Sequence, residues 1–408
     1  MKKRTVLLTL GCALVIGIAW IFPRLVRSPK TGAAIALAPR PYSPPAMAFN
    51  GDSRDLKQSV IVPTLDTPMP KGKNVIWCAP FQMAWNRLKD DVVKEPVRVA
   101  NAGDVSKRLN DSPFSETDLP ENSWYAAAGW IQDGIVPRIR QEMKQRFGKE
   151  RLDLGDADAG LVAYAYLRAQ VPFTTPYFEN TGKFSFTDSE GRQTAVASFG
   201  IREDDEYAYG KLRAQFESLY LLQENHHGAL EFAIDLCKDS KPNQIIIACI
   251  PAKESLLATL EDVERKIVEH PPEYFNKGLE PDAVVLVPSL NWNITHHFTE
   301  LEGTDKRLVN RGFEGRWVNA ALQSISFRLD RSGVELESEA KHVVGPIPVN
   351  YLVDRPFLIY VRKRGTLRPF FVMWVDNAEL LSKAATGAGT QVGCAGDEDC
   401  PKNKKHVK

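Results

Sequence analysis

Apolar and polar residues follow two different periods along this chain, and one run follows neither. Residues 5–22 are continuously apolar, preceded by Lys2-Lys3-Arg4 and followed by Arg24 and Arg27. Such a run just spans the hydrocarbon of a bilayer and is long for the apolar part of a cleaved signal peptide. Residues 1–27 therefore read as a signal anchor or transmembrane segment. The alternative is secretion after cleavage at a later small-residue site such as Ala36-Leu37-Ala38. Basic residues on both flanks leave the charge rule for orientation open. Residues 28–72 are rich in Pro, Ala and polar side chains, and the stretch PRPYSPP can form neither helix nor sheet, so the segment reads as a tether. Within it Val60-Ile61-Val62 suits an edge strand.

From residue 73 the pattern becomes that of a folded domain. Asn74-Val75-Ile76-Trp77 is strand-like, Pro80 suits a first helical position, and residues 81–88 are apolar enough for a buried helix. Residues 101–109 and 123–147 read as further helices, the second amphipathic and basic toward its end. Residues 161–169 alternate as a strand and break at Pro172. Two hairpins follow: residues 184–186 and 194–199 flank Asp188-Ser189-Glu190-Gly191, and residues 229–236 and 245–250 flank KDSKPNQ. Residues 256–269 predict a helix. Residues 283–287, 292–298 and 321–329 predict strands, and two apolar strands near 356–361 and 369–375 close the domain. The mixture predicts a mixed α/β fold over residues 73–383. Residues 384–408 are poor in apolar side chains and read as a disordered polar tail.

Composition narrows the function. The net charge of +1 on 408 residues argues against a nucleic-acid partner, which ordinarily meets a basic domain. Cys78, Cys237 and Cys249 lie in apolar surroundings and read as small core residues. Cys12 sits in the anchor. Cys394 and Cys400 lie in the tail and can close a loop in an oxidising compartment. The pairs His226-His227 and His296-His297 invite a zinc reading, but adjacent residues on a strand point to opposite faces, so each pair offers one ligand to any site. No metal and no cofactor are expected. Gly-x-Ser-x-Gly, a Cys–His motif and a phosphate loop are all missing from the sequence, so it reads as no enzyme.

Several stretches are similar, in order, to landmarks of the serpin family. NVIWCAPFQMAWNRL (residues 74–88) resembles the strand-to-helix opening the family writes Asn-Val-x-x-Ser-Pro, with Cys78-Ala79 standing before Pro80. LVAYAYLRAQVPFTTPYF (161–178), LEFAIDLCKDSKPNQIIIACIPAKESLLATLE (230–261) and VVLVPSLNWNITHHFTELEG (284–303) resemble later strands, a hairpin with its helix, and a strand pair. Asp354-Arg355-Pro356-Phe357 heads the strand the family writes "DRPF", and the final Asn-Pro reads Asn377-Ala378. The family's long first helix has no room before Asn74, and the stretch between Asn101 and Leu161 is short. The resemblance implies one large mixed or antiparallel sheet with smaller sheets, surrounding helices and an exposed reactive-type loop.

It also implies where function lies. Gly333, Val334, Glu335, Leu336 and Glu337 correspond to the hinge, and Gly345, Pro346, Ile347 and Pro348 to the cleavage region. Val334, Leu336, Ser338 and Ala340 alternate with Glu335, Glu337, Glu339 and Lys341, a period that a sheet strand accepts. Three features oppose a working trap. Leu336 and Glu337 are bulky where inhibitory members favour alanine, Arg331 replaces a usual glutamate, and Pro346 and Pro348 crowd the scissile region. The expected function is that of a membrane-tethered serpin-like protein of the peptidase-inhibitor family. It would bind a protease or other protein through the exposed loop without inhibiting it, with its domain on the extracytoplasmic side, periplasmic or extracellular. The alternative is a working inhibitor that traps a serine or cysteine endopeptidase through residues 333–353.

Overall fold

The structure is a computed structural model that describes residues 43–149, 159–170, 172–201, 206–223, 229–272, 278–279, 283–332 and 349–384. Among the described residues three sheets and a hairpin carry the fold, with elements numbered in chain order. A five-stranded sheet has the order β1 (Phe49–Asp52), β14 (Leu290–His297), β15 (Val318–Leu329), β5 (Leu161–Gln170), β4 (Trp124–Trp130). A seven-stranded sheet runs β10 (Glu217–Gln223), β11 (Ala229–Asp235), β12 (Asn243–Cys249), β17 (Phe357–Lys363), β18 (Pro369–Val375), β3 (Asn74–Cys78), β2 (Ser59–Ile61). A four-stranded sheet runs β16 (Tyr351–Leu352), β13 (Val285–Pro288), β9 (Ser198–Ile201), β6 (Phe178–Asn180), and β7 (Ser185–Thr187) pairs with β8 (Gln193–Ala195). The fold is mixed α/β.

The patterns explain the layers. β12 and β18 are buried at every position, because both faces of the seven-stranded sheet are covered. Such strands read as continuous apolar runs rather than alternations. β17 lies at the centre of that sheet between β12 and β18. β14 alternates instead: Leu290, Trp292 and Ile294 are buried, while Asn291, Asn293 and Thr295 are half-exposed. One face of the five-stranded sheet joins the main core through Ala163, Ala165, Leu167, Ile325 and Phe327. The helix α1 (Ala79–Arg87) packs there, with Pro80 in its first turn. The other face carries a separate cluster in which Ile135, Ile139 and Met143 of α3 (Ile135–Phe147) cover Tyr125, Val162, Tyr164 and Leu322. The remaining helices are α2 (Val105–Asn110), α4 (Glu206–Gln215) and α5 (Leu256–Glu269), the last capped by the Ser255 hydroxyl accepting from Ala258 N.

Several expectations change. Residues 123–147 are not one helix: residues 124–130 form β4, and only residues 135–147 are helical. Alanine favours helix in isolation. Here Ala126 and Ala128 meet the main core and Ala127 meets the outer cluster, so small side chains let layers approach the strand from both sides. Residues 101–109 contribute helix only from Val105. β1 falls inside the stretch read as a tether, and β2 there is an edge strand of the seven-stranded sheet, as expected near residues 60–62. β1 pairs parallel with β14 and β2 parallel with β3, so the chain is built into two sheets well before residue 73. Residues 325–329 lie in the five-stranded sheet as part of β15. α4 and β10 were not foreseen, since β10 is an edge strand whose register shifts twice against β11. Residues 1–42 and 385–408, hence the anchor and most of the tail, lie outside the described residues. Among the described residues no helix is long and apolar enough to cross a membrane.

Candidate functional site: the roots of the loop

Every residue assigned to the hinge (Gly333, Val334, Glu335, Leu336, Glu337) and to the cleavage region (Gly345, Pro346, Ile347, Pro348) lies outside the described residues. Both roots of the loop are described. The leading root is the end of β15. Asp330, 4% exposed, turns the chain. Its carboxylate accepts from Ser332 N at 2.8 Å and from Arg328 Nε, and Arg328 also donates to Ser332 Oγ at 3.3 Å. The trailing root is bound to β13. Asn350 Oδ1 accepts from Val284 N at 2.9 Å, Tyr351 N donates to Val284 O at 2.8 Å, and Val353 N donates to Leu286 O at 2.9 Å. Tyr351 packs edge-on to Phe232 and beside Phe216. Beyond it, Arg355 lies over the Phe232 ring and donates to Leu230 O at 2.8 Å, which fixes the start of β17. The two roots thus belong to different sheets.

Beside the leading root runs the parallel pair β15–β5, paired from Val318↔Leu161 to Arg328↔Gln170 with one register shift between Val318 and Ala320. Each of these strands is antiparallel to its outer neighbour, β14 or β4. A chain that reverses after β15 runs antiparallel to both β15 and β5. The seam is therefore the place where such a strand would complete an antiparallel sheet.

His226-His227 lies outside the described residues, and His296-His297 behaves as a strand dictates. His296 faces inward, its Nδ1 2.7 Å from Ser53 Oγ and its ring edge-on to Phe298. Burial, with a smaller contribution from the neighbouring His297, lowers its pKa to about 4. Its Nε2 is buried without a partner, so the Ser53–His296 contact lacks the third group that orients a catalytic base. His297 faces outward and bonds Glu302 at 2.9 Å, which raises its pKa. Among the described residues no group of three His, Cys, Asp or Glu is placed to hold a metal ion. Cys78, Cys237 and Cys249 are free and buried. Burial pushes the Cys249 thiol up to about 12, which removes it as a nucleophile at neutral pH.

Sequence reasoning missed Tyr177, whose backbone exchanges bonds with Arg331 of the leading root, and Gln215, which holds the Thr175 backbone nearby. Asp330-x-Ser332 carried a local signal, since Asp commonly bonds the backbone two residues on. Tyr177 and Gln215 carried none, because their roles depend on segments far away in sequence.

No family model matches the sequence, and no curated protein matches it. Among solved structures the chain is similar to serpins. One is the mouse protein-Z dependent protease inhibitor, at 14% identity over 74% of this chain and 91% of that one, with a TM-score of 0.48. Another is tengpin, a thermophilic serpin in its native state, at 12% identity over 76% and 90%, TM-score 0.47. A third is Serpin48 of the insect Tenebrio molitor, at 12% identity over 74% and 92%, TM-score 0.43. At these identities the likeness is one of fold.

Proposed function

We propose that this chain is a serpin-like protein of the peptidase-inhibitor family that offers residues 333–353 to a protein partner and does not trap a protease. The observation that carries the reading is the pair of roots. The chain leaves the five-stranded sheet at Asp330–Ser332 and rejoins another sheet at Tyr351, while β5 and β15 are already paired along their lengths. Sequence adds the bulk of Leu336 and the prolines at 346 and 348, which oppose insertion and cleavage. The experiment is incubation with a panel of serine and cysteine proteases, followed by a denaturing gel. Cleavage within residues 341–353 without a covalent complex is the expected result. A complex that survives denaturation would overturn the reading in favour of a trap. The inhibitor remains the second reading because the parallel β5–β15 pair has the polarity that an inserted strand requires.

Residues 1–27 hold this body at a membrane, with the domain on the extracytoplasmic side. The support is the unbroken apolar run of residues 5–22. Secretion after cleavage is the competing outcome.

A further inference from the structure

The outer face of the five-stranded sheet changes character toward β1. Near α3 it is apolar, with Val162, Ala320 and Leu322 in one cluster with Ile139 and Met143. Toward β1 it is polar. Residues directly opposite on neighbouring strands share a face. Tyr166↔Ser324, Ser324↔Thr295 and Thr295↔Asp52 therefore form one row, and Ser326↔Asn293 with Asn293↔Asn50 a second. Alternation along β5 and β15 puts both rows on the side of Tyr164 and Leu322. A cavity of about 330 Å³ lies over them, within the size range of small-molecule sites. Two observations separate it from a merely wet sheet face. It has walls: β1 stands on one side, and on the other Lys149, just past α3, sets its Nζ 6.0 Å from the centre of the Tyr166 ring, which Phe147 meets at 4.5 Å. Tyr164, fully buried, also lines the cavity, and its hydroxyl has no hydrogen-bond partner among the described residues. A buried polar group ordinarily has one.

We propose that this cavity, between β1 and the end of α3, binds a neutral polyhydroxylated ligand, a single sugar unit. Charge selects against an ion. The Asp52 carboxylate is already held by Arg54, which donates from Nε at 3.0 Å and from its terminal nitrogen at 2.8 Å, so a cation meets a carboxylate already paired. An anion meets one lysine. The hydrogen-bonding groups select against an apolar ligand. Hydroxyls and amides each donate and accept, and covering them with hydrocarbon would leave them unpaired. Only weak bonds tie them to one another: Thr295 Oγ1 lies 3.2 Å from Ser324 Oγ, and Asn293 Nδ2 donates to Asn50 Oδ1 at 3.4 Å. Adjacent strands space such groups about 5 Å apart, which matches hydroxyls carried on one sugar ring. β1 completes the site, so the segment before residue 73 has a part in binding as well as in the sheet. The site is separate from residues 333–353 and stands whether or not that loop traps a protease.

The test uses the full-length protein, kept in a detergent whose head group is not a sugar. Glucose, galactose, mannose and N-acetylglucosamine are titrated singly and followed by saturation-transfer NMR, with inorganic phosphate as the ionic control. At least one sugar is expected to bind with a Kd of roughly 10 mM or tighter, and phosphate is not. Three variants locate the site. Asn50→Ala and Ser324→Ala each remove one group from a wall or the floor, and each is expected to weaken binding about fivefold, the worth of one hydrogen bond. Tyr164→Phe removes an unpartnered hydroxyl and keeps the buried ring. It should weaken the sugar by a similar factor while the melting temperature holds or rises, a combination that a purely structural role for Tyr164 would not produce. Absence of binding by all four sugars at that concentration overturns the proposal. So does sugar binding that all three variants leave unchanged, which would place the site elsewhere, and so does binding of phosphate alone, which would make the cavity an anion site at Lys149.

Discussion

Asn74 shows how one side chain can join both ends of the described chain. It is fully buried. Its Nδ2 donates to Ser59 Oγ and Asn377 Oδ1, and its Oδ1 accepts from Asp376 N and Asn377 N, all between 2.8 and 3.0 Å. Asn377 in turn donates to Gln58 O and Gly72 O, which gives the Asn-Ala near the C-terminus a structural role. Asn74→Ala leaves buried backbone donors without partners and is expected to cost about 3 kcal/mol or more, read as a lower midpoint in urea. A change under about 0.5 kcal/mol, typical of neutral surface substitutions, would show that the cluster is not buried in solution. The histidines make a second prediction at this scale. His296 is held near pKa 4 in the fold against 6.5 for an unperturbed ring. The unfolded chain therefore binds the extra proton between those values, and stability falls as pH drops from about 6.5 toward 4. His297 is raised, so its contribution is present below 6.5 and is lost as pH rises through its folded value. The first effect dominates on acidification. Melting curves from pH 7 to 4 should be steeper for the wild type than for His296→Leu. Parallel curves would remove His296 as the cause.

At the scale of elements, legibility followed locality. β3 with α1, the β11–β12 hairpin, α5, β14, β15, β17 and β18 are readable because each carries its own signal: a period of two, a Pro in a first turn, or an apolar run bounded by turn residues. β4 was misread because five of its seven residues, Ala126, Ala127, Ala128 and the two flanking tryptophans, do not alternate in polarity. Its strand state comes from layers on both sides. β1 was hidden by the composition of its surroundings, and its pairing with β14 spans more than two hundred residues. Of the candidate site, the strand and turn before residue 333 and the strand that begins after Pro356 were legible, whereas the anchors of its roots were not. The four-stranded sheet that holds the trailing root yields a direct prediction. A Cβ added at Gly200 would stand 1.7 Å from Val285 O, on the strand that also pairs with β16. Gly200→Ala should separate β9 from β13, cost about 3 kcal/mol or more, and free the trailing root. The check is faster proteolysis in residues 341–353 at a temperature where the variant is still folded. Wild-type cleavage rates and stability in the variant would mean that the close approach is absent.

At the scale of the whole molecule, the proposed anchor and the proposed role of residues 333–353 are open to separate tests. A body held at a membrane by residues 1–27 would meet partners in the plane of the bilayer, and deleting those residues should release a folded body into the soluble fraction. Full-length protein recovered soluble and cut near Ala38 would establish secretion instead. Under the non-trapping proposal, insertion of the cleaved segment is opposed by the bulk of the hinge, since a central strand packed between β5 and β15 must fit the alanine-rich face that Ala163 and Ala165 present to the core. Leu336→Ala with Glu337→Ala removes that bulk and charge. This double variant, once cleaved, is expected to melt roughly 10 °C or more above its uncleaved form, whereas the wild type gains little on cleavage. A double variant that also gains nothing would show that hinge bulk is not the barrier.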